Sequence, residues 1–239
     1  MSTNFLRYEQ GMFKKVDFLR KNATLVPLKI SSQILGLNML YRADIPGTAP
    51  TIYIRESINK KLEELVKILG PCYQIAIYDG LRSDRTQDLL TKEYQRKIAE
   101  YQDSDDLELV DRTQELNPNA SGGAIDLSLY YKNEPLDMGT EYDDLSLLAQ
   151  ADFFEKEFKA EFTEEFGISQ TRWETIRRNR MFLFNSMTKI GFINDSTKWW
   201  HFDLGSTNWA NQLGITWHYD SAASQLEAAH TDEAQRNRP

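Results

Sequence analysis

The sequence predicts a single mixed α+β domain. Segments with helical and strand periodicity occur in no regular strand–helix alternation, which argues against a doubly wound fold. Hydrophobic residues make up 41% of the 239 residues, enough for one sizeable core. No apolar run approaches the roughly 18 residues a membrane-spanning helix needs, so no membrane segment is expected.

Residues 1–25 are of mixed composition with no dominant period. A strand-like stretch lies within Leu28–Ala43, and the Pro- and Gly-bearing segment Asp44–Pro50 reads as a loop. Ile52–Ile54 is a short strand candidate. Ser57–Leu69 carries apolar residues at 58, 62, 65, 66 and 69, which is helical spacing, with Ser57 as a candidate cap and Gly70-Pro71 as the stop. Gln74–Tyr78 reads as a buried strand ending at the turn signal Asp79-Gly80. Asp84–Tyr101 has a polar, helical character, and the acidic stretch 103–108 reads as loop. The turn-rich segment Asn117–Gly123 leads into a strand over Ala124–Tyr131, followed by a loop over Glu134–Asp144. Ser169–Ile190 is the most distinct helix, and Trp199–Leu204 a short strand. The domain is expected to span residues 1–220, with 221–239 a polar tail.

Charge and cysteine content narrow the function. A net charge of −8 gives no electrostatic reason to bind nucleic acid or an anionic membrane. The short basic run Arg177, Arg178, Arg180 is expected to be a solvated helix face. Cys72 is the sole cysteine, which rules out an intrachain disulfide; its apolar surroundings predict a buried, inert thiol. The N-terminal segment has neither an apolar h-region nor a small-residue cleavage site, so a cytoplasmic location is expected.

Chemistry centres on two segments. Gly122-Gly123-Ala124-Ile125-Asp126-Leu127 places a carboxylate near the start of an apolar strand, where it needs a partner. Lys198-Trp199-Trp200-His201-Phe202 sets a histidine among aromatics. Taken alone, Asp126 reads as a turn-bonding carboxylate and His201 as a satisfied core histidine. The chain has three histidines, His201, His218 and His230. A three-histidine metal site would need all of them, including one in the tail.

Together these segments resemble the VanX-type D-alanyl-D-alanine dipeptidases. That family's Ser-x-His-x-x-Gly-x-Ala-x-Asp pattern, which supplies two zinc ligands, is similar to Asn117–Asp126 here. Its Glu-x-x-His, which supplies the catalytic base and the third ligand, is similar to Lys198–His201. Its Asp-Gly-Tyr-Arg segment resembles Asp79-Gly80-Leu81-Arg82, whose arginine stabilises the tetrahedral intermediate. Asp137–Asp143 resembles the Met-Gly loop, whose last aspartate contacts the substrate ammonium, and Asn179-Arg180-Met181 to Gly191-Phe192 resembles the family's Asn-Arg helix. The match runs over about residues 50 to 205. The resemblance implies a single D,D-peptidase/hedgehog-like α+β domain, with a largely antiparallel sheet flanked by helices.

The departures decide the expected function. The first ligand histidine is Asn119 and the catalytic glutamate is Lys198, whereas Arg82, Asp126, Asp143 and His201 remain. A neutral amide oxygen is a poor ligand for zinc, and an ammonium repels a divalent cation. The expectation is therefore no cofactor, with zinc only if Asp126, His201 and Asn119 still hold it. Lys198 is expected to pair with Asp126 in place of the metal's charge; a nucleophilic or basic role is the alternative. The expected partner is a small zwitterionic dipeptide or amino-acid conjugate, bound by Arg82, Asn117, Asp143 and Trp200, with Arg82 and Lys198 as catalytic candidates. A non-catalytic binding protein and a surviving metal-dependent dipeptidase are the rival readings. The sequence leaves the oligomeric state open.

Overall fold

A computed structural model of the protein describes residues 3–101 and 117–226. Elements run in the order α1 (Thr3–Lys21), β1 (Leu25–Pro27), β2 (Ile34–Gly36), α2 (Met39–Arg42), β3 (Tyr53–Arg55), α3 (Glu56–Leu69), β4 (Tyr73–Asp79), α4 (Asp84–Tyr101), β5 (Ala124–Tyr131), β6 (Glu134–Pro135), α5 (Glu161–Phe166), α6 (Gln170–Lys189), β7 (Ile193–Asn194), β8 (His201–Asp203) and α7 (Thr207–Leu213). The main sheet has the order β2-β4-β5-β8-β7, with β6 paired to β5. Only the β2–β4 pairing is parallel; the others are antiparallel. β1 and β3 form a separate antiparallel pair. This is the expected α+β fold with a largely antiparallel sheet.

Strand alternation divides the sheet into two chemically distinct faces. On β5, Ile125, Leu127 and Leu129 join the main core, with Ile75 and Ile77 of β4 and Phe202 of β8. α3 supplies Ile58, Leu62, Leu65 and Leu69 to that core, and α6 supplies Leu183 and Met187. The opposite face of β5 carries Ala124, Asp126 and Ser128, all buried. Continued alternation along β4 would send Asp79 to the apolar face with Ile75 and Ile77. A register shift between Ile77 and Asp79 instead sets Asp79 opposite Asp126. Such a bulge re-aims one side chain without breaking the sheet, and here it moves a carboxylate onto the polar face.

Several local expectations are corrected. Residues 3–21, which lack a clear period, form α1; Met12, Val16 and Phe18 pack against the core and Leu19 is buried in it. The stretch 28–43 divides into β2 and the short α2. Ser57 does not cap α3: Arg55 is the N-cap residue, and the buried Ser57 hydroxyl meets the Tyr219 hydroxyl at 2.9 Å. Cys72 is exposed because it sits in the turn before β4 rather than in the strand. Arg177 and Arg178 are exposed as expected, but Arg180 is buried. The packed structure continues past residue 220, with Ala222 and Leu226 against Leu81. The acidic stretch 103–108, the rest of the tail and His230 lie outside the described residues.

Candidate functional site

Asp79, Asp126 and His201 lie opposite one another across β4, β5 and β8: Asp79 pairs with Asp126, and Asp126 with His201. His201 and Asp203 share one face of β8, two residues apart. Two glycines permit the close approach of the loops that feed these strands. A Cβ at Gly80 would lie 2.7 Å from the Tyr53 carbonyl oxygen, and one at Gly123 would lie 2.7 Å from the Leu204 carbonyl oxygen. The expected site residues therefore gather from distant parts of the chain. Arg82, Asn119, Asp126, Lys198 and His201 are all buried, and Asn117 and Asp143 are half-buried.

Asp126 is the centre of the cluster. Its Oδ1 lies 2.6 Å from His201 Nδ1, and its Oδ2 accepts the Tyr142 hydroxyl at 3.0 Å. Arg82 Nη2 stands 3.6 Å from Oδ2. Burial pushes the Asp126 carboxyl up, but His201, Arg82 and Lys198 outweigh it and hold the group below the usual carboxylate range. His201 responds in the opposite sense. Burial alone would favour neutral imidazole, but Asp126 and Asp203 raise its pKa to about 10. At neutral pH the ring is an imidazolium between two carboxylates. Its Nε2 lies 3.5 Å from Asp203 Oδ2, an ion-pair distance too long for a good hydrogen bond.

Arg82 is held by its own strand end. Nε and Nη2 donate to Asp79 Oδ2 at 2.9 and 2.6 Å, and Nη1 donates to Gln87 Oε1 at 2.7 Å. Three of the five guanidinium N–H donors are thereby used. Asp79 is nevertheless pushed up to about 6: burial raises it, Arg82 counters, and the like charge of Asp126 adds to the rise. Asn117 Nδ2 ties this turn down through the Arg82 carbonyl oxygen and Asp84 Oδ1, each at 3.0 Å. Asn119 Nδ2 donates to the Gly80 carbonyl oxygen at 2.9 Å, and its Oδ1 is buried without a hydrogen-bond partner among the described residues.

Lys198 is 5% exposed, so it belongs to the buried cluster rather than to solvent. The expected direct pair with Asp126 is corrected: the Lys198 ammonium lies 3.3 Å from Asp195 Oδ2, and Asp126 takes His201 as its bonded partner. The geometric reason is a tight turn, in which the Lys198 N–H donates to the Asp195 carbonyl oxygen. Lys198 acts on Asp126 through space, as the last of its charge partners. Burial pushes the Asp195 carboxyl up, but Lys198, then His201 and the Thr197 donors bring it down to about 2.

The amine-binding candidate Asp143 accepts the Tyr94 hydroxyl at 2.5 Å. Its backbone is left-handed, with φ of 65°, which aspartate tolerates better than most residues. Arg180, expected in solvent, secures the loop that leads to it. Its guanidinium donates to the carbonyl oxygens of Met138, Gln150 and Leu148 at 2.7, 2.7 and 2.8 Å. Trp200 is 1% exposed and packs edge-on against Tyr142, so it is a wall of the buried cluster. His218 does not reach the cluster; its Nδ1 meets the Tyr219 carbonyl oxygen at 3.0 Å. Among the described residues, no three His, Cys, Asp or Glu side chains are grouped to hold a metal ion, and no helix is long and apolar enough to cross a membrane.

Sequence reasoning missed the parts played by Asp79, Tyr142, Asp195 and Asp203. Asp79 and Asp203 each had a readable signal, at i−3 from Arg82 and at i+2 from His201. Tyr142 and Asp195 had none, because loops bring them in.

The polar face of the sheet thus carries Asp79, Asp126 and His201 from three neighbouring strands, with Arg82 in the loop that follows β4. The D-ala-D-ala dipeptidase family model matches residues 34–215, and the chain belongs to that family. It is similar to the D-alanyl-D-alanine dipeptidase of Synechocystis sp., with 26% identity over 197 residues, covering 71% of this chain and 76% of that protein.

Proposed function

We propose that this dipeptidase-like protein binds a small zwitterionic dipeptide or amino-acid conjugate and does not hydrolyse it by zinc chemistry. The observation that carries this reading is the buried ammonium of Lys198 inside the Asp126–His201 cluster. The donor set does not fit zinc. Zinc sites use imidazole, thiolate or carboxylate around an open position for water. Here Asn119 offers one neutral amide oxygen, Asp126 and His201 are bonded to each other at 2.6 Å, and a lysine stands in place of the base. Three cations, Arg82, Lys198 and protonated His201, are paired with the carboxylates of Asp79, Asp126, Asp195 and Asp203, and so offset most of the cluster's negative charge with the chain's own side chains.

Ligand recognition in this reading uses the two guanidinium donors that Arg82 has left for a carboxylate, and Asp143 for an ammonium. The 3.3 Å ion pair with Asp195 favours a charge-balancing role for Lys198 over a nucleophilic one. The test is a calorimetric titration of chelator-treated protein with D-alanyl-D-alanine, followed by chromatography of the ligand. The expected result is saturable binding, weakened by Arg82→Lys and by Asp143→Asn, with intact dipeptide recovered. Release of alanine, or binding indifferent to both substitutions, contradicts the proposal.

A further inference from the structure

The outer surface of α6 is not uniformly polar. Arg177, Met181 and Phe184 recur at i, i+4 and i+7 and so form one stripe. The inward side of the helix, with Ile176, Leu183 and Met187, is buried. Met181 is 41% exposed and Phe184 45% exposed, so two large apolar side chains face solvent one turn apart. Single exposed apolar residues are ordinary, but these two border a shared cavity of about 230 Å³. That volume lies below the roughly 300–1,000 Å³ of small-molecule sites and is room for one or two side chains.

The cavity has two walls and a fixed floor. α6 supplies Arg177, Met181 and Phe184, and the segment 151–155 supplies Asp152 and Glu155. The buried rings of Phe154 and Trp199 form the floor. Arg180 Cζ lies 4.7 Å from the Phe154 ring centre and 5.7 Å from that of Trp199, and its guanidinium is bonded to three carbonyl oxygens. The surface is therefore shaped before anything binds, which lowers the ordering cost of association. Asp152, Glu155 and Arg177 are exposed, and none makes an ion pair with another described residue. One apolar mouth thus carries negative charge on one wall and positive charge on the other.

A wholly cationic or wholly anionic partner would match one wall and be opposed by the other. A second copy of this chain matches both. A two-fold axis through the mouth lays the α6 wall of each copy on the 151–155 wall of the other, and a two-fold interface must be self-complementary in this way. We infer that this face is the interface of a symmetric homodimer. The second copy's Met181 and Phe184 enter the cavity over Phe154 and Trp199, and its Arg177 meets Asp152 and Glu155. Aromatic residues, Met and Arg are the types enriched in interfaces relative to the remaining surface. The lining includes none of Arg82, Asn117, Asp143 and Trp200, so the pairing is independent of the dipeptide reading.

Sedimentation velocity of the full chain, from low micromolar to several hundred micromolar, tests the assignment. The expected result is a concentration-dependent shift from one chain to two, with no larger species. Phe184→Glu is expected to weaken the dimer by about thirtyfold or more. Arg177→Glu is expected to weaken it by about tenfold, since the change acts twice in a symmetric pair. Combining Arg177→Glu with Asp152→Arg and Glu155→Arg exchanges the charges of the two walls and is expected to restore the dimer. All four side chains are exposed, so circular dichroism is expected to match the wild type. Should Phe184→Glu alter the spectrum, the charge exchange alone decides. A single-chain species at every concentration, or a dimer that withstands both Phe184→Glu and Arg177→Glu, overturns the inference. So does a charge exchange that fails to recover what Arg177→Glu loses.

Discussion

Asp126→Asn removes the charge on which the buried cluster converges. In the wild type that carboxylate is 2.6 Å from His201 Nδ1, 3.0 Å from the Tyr142 hydroxyl and 3.6 Å from Arg82. The substituted amide is nearly isosteric, so the change is one of charge rather than packing. Removing one partner of a buried ion pair costs about 3–5 kcal/mol. The rise of His201 from 6.5 to about 10, shared by Asp126 and Asp203, corresponds to roughly 5 kcal/mol of preference for the imidazolium, in the same range. For a chain of this size, the loss lowers Tm by about 6–20 °C. The sign of the pH dependence follows from linkage. A histidine whose folded pKa is raised contributes stability that is complete below about pH 6.5 and is lost as pH rises through about 10. The difference between wild type and Asp126→Asn is therefore expected to be largest near pH 6 and to shrink steadily towards pH 10. Urea unfolding across that range, with chelator present in every sample, measures it. A difference below about 1 kcal/mol, or one that stays flat with pH, refutes the coupled Asp126–His201 charge pair.

Lys198→Ala is expected to destabilise the fold by about 3 kcal/mol, because it strands the largely buried Asp195 carboxylate. Asp195 is depressed to about 2, so its contribution is present above about pH 4 and is lost as pH falls. The variant is expected to acid-unfold at higher pH than the wild type, which circular dichroism during acid titration checks. Arg180→Met is expected to cost at least about 3 kcal/mol in urea unfolding, since three backbone carbonyls lose their donor. Arg180→Lys is expected to recover only part of that, because an ammonium cannot span the same fork. The double change Asn119→His with Lys198→Glu returns an imidazole and a carboxylate to the cluster. It is expected to raise zinc affinity at least a hundredfold over the wild type by calorimetry.

Much of the fold was readable because long elements carry strong periodic signals. α4 and β5 occupy the expected ranges, and α6 differs by one residue at each end, with Ser169 accepting from the Arg172 N–H as its cap. α1 was not readable, since its helicity rests on packing one face against the core more than on a clear pattern. The site was legible where residues sit on strands in fixed register. Asp126 and His201 are opposed on β5 and β8, so their meeting follows from pairing the two motifs. Charge partners that arrive by turns were not legible. Lys198 was assigned to Asp126, but a four-residue turn gives it to Asp195. Arg180 looked like part of a basic surface run; its position, one turn beyond the buried Ile176, places it on the inward side of α6.

The central claim is that buried cations, and not a metal, balance Asp126. The most direct measurement is the zinc content of the purified wild-type protein after exposure to equimolar zinc and gel filtration, paired with D-alanyl-D-alanine turnover on the same sample. The account predicts well under 0.1 zinc per chain, on the order of the weak affinity of an amide-substituted site, and no turnover. One zinc per chain, with turnover that a chelator abolishes and zinc restores, contradicts it.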